Sequence, residues 1–166
     1  MVHNATISIR YGARVDVNNK TLDLFVGDTF TIVATTTPGG LNVTYVLDDS
    51  GVYSVDDDGT VIALREGEGS VLIKVGGDGV YAENYTIVNV TVHKNLIVSA
   101  PDLTKYYRGP EKFVVNVTDG RNNSLVNKSV NITINGITYF RTTDENGTAS
   151  LNINLNSGEY PVNVAV

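Results

Sequence analysis

Residues 52–75 read VYSVDDDGTVIALREGEGSVLIKV, and the alternation of apolar and polar residues in this stretch decides the fold. Asp58-Gly59 separates two alternating runs, residues 52–55 and 60–64. An Asp-Gly pair can take positive φ at both turn positions, so it predicts a β-hairpin. A third run, residues 71–75, continues the apolar face beyond Gly67. Three strands that share one apolar face need a second sheet to cover them, which predicts half of a β-sandwich.

A set of dispersed residues around this stretch carries a family resemblance. They are Leu22, Leu24, Val26-Gly27-Asp28-Thr29, Phe30-Thr31-Ile32-Val33-Ala34, Pro38, Val43-Thr44-Tyr45, Val52, Val55-Asp56, Gly59-Thr60-Val61, Ala63-Leu64 and Gly67. In this order and spacing, residues 15–92 resemble the bacterial Ig-like group 2 domain (Big_2), the repeat module of intimin- and invasin-type adhesins. That family usually has Trp where Tyr45 stands, which implies a smaller core there and a hydroxyl group that needs a partner.

The composition is typical of strands and turns. Val, Thr, Asn and Gly dominate, and no window shows a helical apolar period. The absence of Cys excludes a disulfide framework and a thiolate metal site. Neither a signal peptide nor a membrane span is evident, and we interpret the chain as a fragment of a longer protein.

The net charge of −6 is unevenly distributed. Residues 1–94 contain twelve acidic and six basic side chains, whereas residues 95–166 contain six of each. Nucleic acids and anionic membranes both require clustered Lys and Arg, so this acidic chain is expected to bind neither.

The pattern along the chain predicts two tandem Ig-like β-sandwich domains, residues 1–94 and 95–166, in an all-β protein. Residues 5–10 (ATISIR) alternate and predict a lead-in strand, and residues 29–36 predict a single strand. In the second domain, Asn135-Gly136 predicts a hairpin, and five or six strands are expected. Only four residues separate Val92 from Ile97, none of them Gly or Pro, which predicts a stiff, elongated pair of domains.

The second domain carries a resemblance of its own. Its marks are Ala100-Pro101-Asp102-Leu103, Tyr106-Tyr107, the NGITY hairpin, Thr143-Asp144-Glu145-Asn146-Gly147 and residues 155–158. These features are similar to the Ig-like repeat of adhesin-like surface proteins of methanogenic archaea. The resemblance implies a β-sandwich from an extracellular, cell-surface protein.

The chain contains few residues that could carry out catalysis, and it is predicted not to be an enzyme. No catalytic residues, cofactor-binding residues or cofactors are expected. His3 and His93 are the only histidines, and His93 is expected to pack at the domain junction. Asp48-Asp49 and Asp56-Asp57-Asp58 are the acid–base and calcium candidates. The spacing lacks an EF-hand pattern, so solvated turns are favoured and no metal is expected.

Ten Asn-x-Ser/Thr sequons are present, more than the composition alone would give. They begin at Asn4, Asn19, Asn42, Asn84, Asn89, Asn116, Asn122, Asn127, Asn131 and Asn146. Glycosylation is one interpretation. The other is a solvent-facing Asn/Thr stripe along strands, which generates sequons automatically.

A Lys–Asn cross-link of the kind found in some pilin and adhesin domains requires a Lys, an Asn and a nearby acid. Lys112 and Asn163 fall at suitable strand positions, but Glu145 lies in a turn, away from where a buried catalytic acid is required. No cross-link is therefore expected.

These observations favour a monomeric stalk or spacer segment of a cell-surface adhesin-like protein. The alternative is a module that binds a glycan, or a surface protein of a host or neighbouring cell, through its loop tips. The aromatic candidates for such binding are Tyr106-Tyr107-Arg108 and Tyr81 with Tyr85. The two tyrosines at 106 and 107 belong to the repeat's own pattern, so a packing role is expected for them.

Overall fold

The computed structural model describes all residues, Met1–Val166, and contains strands but no helix. It divides into two compact units, Met1–His93 and Lys94–Val166. The first unit contains β1 (Arg14–Val17), β2 (Thr21–Phe25), β3 (Thr29–Thr31), β4 (Ala34–Thr37), β5 (Thr44–Leu47), β6 (Tyr53–Val55), β7 (Thr60–Ala63), β8 (Gly67–Val75) and β9 (Asn84–His93). The second contains β10 (Ile97–Ser99), β11 (Lys112–Thr118), β12 (Ser129–Ile134), β13 (Ile137–Thr142), β14 (Thr148–Asn152) and β15 (Val162–Ala165). The predicted all-β class is confirmed.

The first unit is a sandwich built around one apolar core. Its four-stranded sheet has the order β2-β9-β8-β5, its three-stranded sheet the order β3-β7-β6, and β1 pairs with β4. Val61 of the smaller sheet and Val71, Ile73 and Val88 of the larger one are completely buried. Alternate residues on these strands point inward, as period-2 patterning requires.

The prediction that residues 71–75 lie beside the hairpin is wrong. The hairpin strands β6 and β7 belong to the three-stranded sheet, whereas β8 lies in the four-stranded sheet and pairs with β5 and β9. Alternation shows which side of a strand is buried, but both sheets bury a side against the same core. The strand also starts earlier than expected, at Gly67, where φ is +148° and a Cβ would lie 2.6 Å from a methyl group of Val52.

Two further strand predictions in this unit are wrong. Residues 5–10 form no strand, and Ile7 and Ile9 are each 86% exposed, because no sheet edge pairs with them. The expected strand over 29–36 is broken into β3 and β4. The break is occupied by Asn18, whose amide group accepts from the Val33 N–H (3.0 Å) and donates to the Thr31 carbonyl (3.1 Å).

The second unit is a smaller sandwich of two three-stranded sheets, β10-β11-β14 and β13-β12-β15. Val115, Val117, Val130 and Ile132 are completely buried between them. The six strands agree with the expected five or six. The Asn135-Gly136 hairpin is confirmed: Ile134 pairs with Ile137, and φ is +50° at Asn135 and +75° at Gly136.

The Asp58-Gly59 hairpin is confirmed, but its turn is of a different type. Only Gly59 has positive φ, +84°. The Gly59 N–H donates to the Asp56 carbonyl (3.0 Å), and the Asp56 N–H donates to the Thr60 carbonyl (3.1 Å). This is a three-residue loop whose last residue is left-handed, the usual alternative to a two-residue hairpin.

Gly59 cannot be replaced without moving the core. A Cβ there would lie 2.5 Å from the Tyr45 hydroxyl and 2.7 Å from the Ile32 carbonyl oxygen. We expect Gly59→Ala to lower the free energy of unfolding by roughly 3 kcal/mol, from left-handed strain plus overpacking. Gly27→Ala is the matched control, because φ is +92° but nothing lies within 4 Å of its Cβ. Gly27→Ala should lower the free energy of unfolding by about 1–2 kcal/mol, measured by urea denaturation. Equal losses for both variants would contradict the packing argument.

Candidate functional site

The aspartate of the Asp56–Thr60 turn organises that turn through its side chain. The Asp56 carboxylate oxygen Oδ1 accepts from the N–H groups of Asp58 (3.0 Å) and Thr60 (2.8 Å). The side chain therefore satisfies the turn backbone from within the loop.

The same arrangement occurs twice in the second unit. Asp144 Oδ1 accepts from the N–H groups of Asn146 (2.9 Å) and Thr148 (3.0 Å). Asp119 Oδ1 accepts from those of Arg121 (2.9 Å) and Asn123 (2.8 Å). In each turn, the fourth residue is left-handed: Gly59, Gly147, or Asn122 with φ +66°. An Asp followed three residues later by Gly or Asn is the sequence signal of this turn, and the predictions above did not use it.

Asp48 has a comparable structural role at the end of β5. Its carboxylate accepts from the Ser50 hydroxyl and N–H and from the Ser70 N–H (2.6 Å), so it ties β5 to β8. Desolvation acts to raise the pKa of Asp48, but these hydrogen bonds outweigh it and hold the pKa below its ordinary value. Asp48 is therefore a stable carboxylate, whereas a general acid needs a raised pKa.

The remaining acidic candidates do not assemble into a site. Asp49, Asp57 and Asp58 are exposed, and no group of three His, Cys, Asp or Glu side chains is placed to hold a metal ion. Two surface hollows, of about 380 Å³ near the Lys74–Glu83 ion pair and about 550 Å³ beside Asn135-Gly136, contain no nucleophile–base pair.

Both histidines belong to the first unit, and their surroundings differ. His3 is exposed near the start of the chain. His93 ends β9, where its Nε2 contacts the Asp23 carboxylate and its ring lies 5.7 Å from that of Phe25. These contacts are made across the β2–β9 pairing, so they fasten the two strands together.

The cross-link candidates are not brought together. Lys112 starts β11 in one sheet of the second unit, and Asn163 lies on β15 in the other sheet. Both side chains are exposed, as is Glu145. An autocatalytic amide bond needs a buried Lys, Asn and acid in mutual contact, which this arrangement does not provide.

The sequon asparagines are exposed except Asn131, which is half-buried with its Oδ1 enclosed and without a hydrogen-bond partner. Two of the exposed ones form hydrogen bonds with residues distant in the sequence. Asn84 Nδ2 donates to the Ala13 carbonyl (2.8 Å), and Asn116 Oδ1 accepts from the Thr148 hydroxyl (2.9 Å). A glycan on Asn84 would leave its Nδ2 a single N–H with which to make the first of these bonds.

The expected packing role of Tyr106 and Tyr107 is wrong. Their side chains are 88% and 59% exposed, on a loop between β10 and β11. The loop owes its shape to Lys105, whose ammonium group donates to the carbonyls of Gly109, Glu111 and Ile153 at 2.6–3.0 Å. The other aromatic pair is different: Tyr81 is half-buried against Tyr11, with ring centroids 5.8 Å apart, while Tyr85 is exposed.

Comparison with known proteins gives no family model that matches and no curated relative. Solved structures of low similarity do match. The D00-D0 domain of intimin is 12% identical, with 92% of this chain and 91% of that one covered, at a TM-score of 0.35. Domains 5-6 of the S-layer protein SbsC are 18% identical, with 91% of this chain and 89% of that one covered, at a TM-score of 0.37. This chain covers only 24% of the longer S-layer protein rSbsC(31-844), with 17% identity and a TM-score of 0.40.

The structure contains no helix that could span a membrane.

The aspartate turns can be tested by removing one carboxylate. Asp144→Ala leaves the N–H groups of Asn146 and Thr148 without their acceptor, so we expect the free energy of unfolding to fall by about 1–2 kcal/mol. Glu145→Ala is the control, because it removes a carboxylate from the same turn without removing a turn hydrogen bond. It should change stability by less than about 0.5 kcal/mol in urea denaturation. Equal losses would show that charge, and not the turn bonds, matters.

Tyr45 makes stability sensitive to alkaline pH. Desolvation, followed by the negative charges of Asp56 and Asp58, raises the pKa of its phenol above the ordinary value of 10.0. A raised folded-state pKa contributes stability that is complete below about pH 10 and is lost as pH rises through the folded pKa. We expect Tyr45→Phe to flatten the fall in unfolding free energy between about pH 9.5 and 11 relative to Tyr85→Phe. Parallel slopes in denaturation series would contradict this assignment.

Proposed function

We propose that this chain is a non-enzymatic, load-bearing stalk or spacer segment of an extracellular cell-surface protein. The observation that carries the proposal is the pairing between β2 and β9 in the first unit. These strands lie near the beginning and at the end of the unit and pair in parallel, from Thr21–Asn89 to Phe25–His93. Tension applied at the two ends of the unit would pull the strands in opposite directions along their length.

Such loading engages the β2–β9 hydrogen bonds together, since two strands in shear cannot separate one bond at a time. The side-chain contact between His93 and Asp23 adds to these backbone hydrogen bonds near the end of the β2–β9 pairing. The load would first reach β1, which pairs with β4 over four residues. In the second unit, β10 pairs with β11 and β15 pairs with β12, so its first and last strands are not bonded to each other.

The surface location rests on the two sequence resemblances, to Big_2 modules and to repeats of methanogen adhesin-like proteins. Nine of the ten sequon asparagines are exposed, which supports a polar extracellular surface and makes the chain a candidate glycoprotein. The short connection from His93, at the end of β9, to Ile97, at the start of β10, is consistent with a spacer.

A second candidate function is ligand binding through a loop tip, to a glycan or a partner protein. The specific observation in its favour is the exposure of Tyr106 and Tyr107 on a loop fixed by Lys105.

Pulling single molecules by their ends tests the stalk proposal. We expect two unfolding steps, with the first unit unfolding at the higher force. Because the chain has no Cys, the double variant Thr21→Cys/Asn89→Cys can join β2 to β9 covalently at a register pair. Oxidation should remove the high-force step and retain the low-force step, and reduction should restore it. Loss of the low-force step instead would show that the parallel pairing does not bear the load.

A further inference from the structure

The loop from Lys105 to Glu111 is more ordered than its exposure suggests. The Lys105 ammonium group bonds three carbonyls, including that of Ile153 just beyond β14. The Gly109 N–H donates to the Tyr106 carbonyl (2.9 Å). Lys105 is half-buried. An ammonium group with three acceptors is costly to detach, so the loop holds a defined shape. Two aromatic side chains are thereby presented to solvent on a fixed backbone.

Arg108 occupies an unfavourable backbone conformation at the tip of this loop. Eleven glycines and three asparagines in the chain also have positive φ, and Arg108, at +60°, is the single residue of another type. A left-handed Arg is strained, because its Cβ crowds the following carbonyl oxygen. Its guanidinium carbon lies 5.2 Å from the centre of the Tyr107 ring. Strain of this kind concentrates at functional sites, where another requirement fixes the residue.

The tip also carries positive charge on an acidic chain. Lys105 and Arg108 form no ion pair with a carboxylate, in a protein of net charge −6. The tip therefore combines two exposed phenol rings with a guanidinium group whose N–H donors match a carboxylate in geometry. Phenol rings have apolar faces and a polar edge, which suits the C–H faces and hydroxyl groups of a sugar ring.

We propose that Tyr106, Tyr107 and Arg108 form a binding site for an acidic saccharide, with a sugar ring packed on the tyrosines and a sugar carboxylate held by Arg108. The size of the site favours a saccharide over a protein. Each aromatic side chain can bury about 150–250 Å², whereas a stable protein interface needs about 800 Å² on each partner. The inference goes beyond the spacer function and does not depend on it.

NMR titration of the full chain with tetragalacturonate tests the site. Its fully methyl-esterified form is the neutral control with the same backbone, and tetraglutamate is the peptide control with the same charge. We expect tetragalacturonate to shift the signals of Tyr106, Tyr107 and Arg108, and both controls to bind at least fivefold more weakly. No shift at 10 mM tetragalacturonate would overturn the proposal. Equal binding of the ester or of tetraglutamate would also overturn it, the latter in favour of an acidic-peptide site.

Variants separate binding from folding. Tyr106→Ala should weaken tetragalacturonate binding at least fivefold, whereas Phe140→Ala, which removes another exposed ring of the second unit, should leave it unchanged. Arg108→Asn is the sharper variant, because Asn tolerates left-handed φ while removing the guanidinium. It should reduce the affinity to that of the ester and raise Tm by about 2–6 °C. A fall in both affinity and Tm would show that Arg108 has a structural role and would overturn its assignment to the ligand.

Discussion

The three aspartate turns solve the main difficulty of this chain, which must reverse direction many times without helices or disulfides. A tight turn leaves backbone N–H groups with no partner in the sheet, and a polar group without a partner costs free energy wherever water is partly excluded. At Asp56, Asp119 and Asp144, one carboxylate oxygen accepts from two such groups. Of the acidic residues that suggested acid–base chemistry or calcium binding, Asp48 and Asp56 are therefore used by the fold.

These turns also fix where the strands enter the core. Gly59 and Gly147 are buried, and a Cβ at Gly147 would lie 2.6 Å from the Val117 carbonyl oxygen. The left-handed glycine of these two turns thus lies against a neighbouring segment of its unit, so turn and core are specified together. This coupling matters most in the second unit, because small domains without disulfides bury a limited apolar area.

The sequence predicted the local structure well because the relevant signals are local. Asn135-Gly136 and Asp58-Gly59 mark hairpins by their own backbone preferences, and alternation identified the buried faces of β8 and β9. What alternation could not provide was the sheet to which a strand belongs, so β8 was placed beside the wrong neighbours. Residues 5–10 failed for a related reason: an alternating segment becomes a strand only where an edge pairs with it.

The candidate sites were harder to predict, because they depend on contacts between distant residues. The Lys105 ammonium group donates to the carbonyl of Ile153, 48 positions away in sequence. No residue near Tyr106 in the sequence indicates that Lys105 makes this long-range bond. Its effect is to hold the one strained residue that is neither Gly nor Asn. Elsewhere in the chain, each left-handed position is occupied by a residue that tolerates it, whereas Arg108 is strained and its guanidinium lies over the exposed ring of Tyr107. A requirement other than stability accounts for it more directly, and binding of an anionic ligand beside two exposed rings is such a requirement.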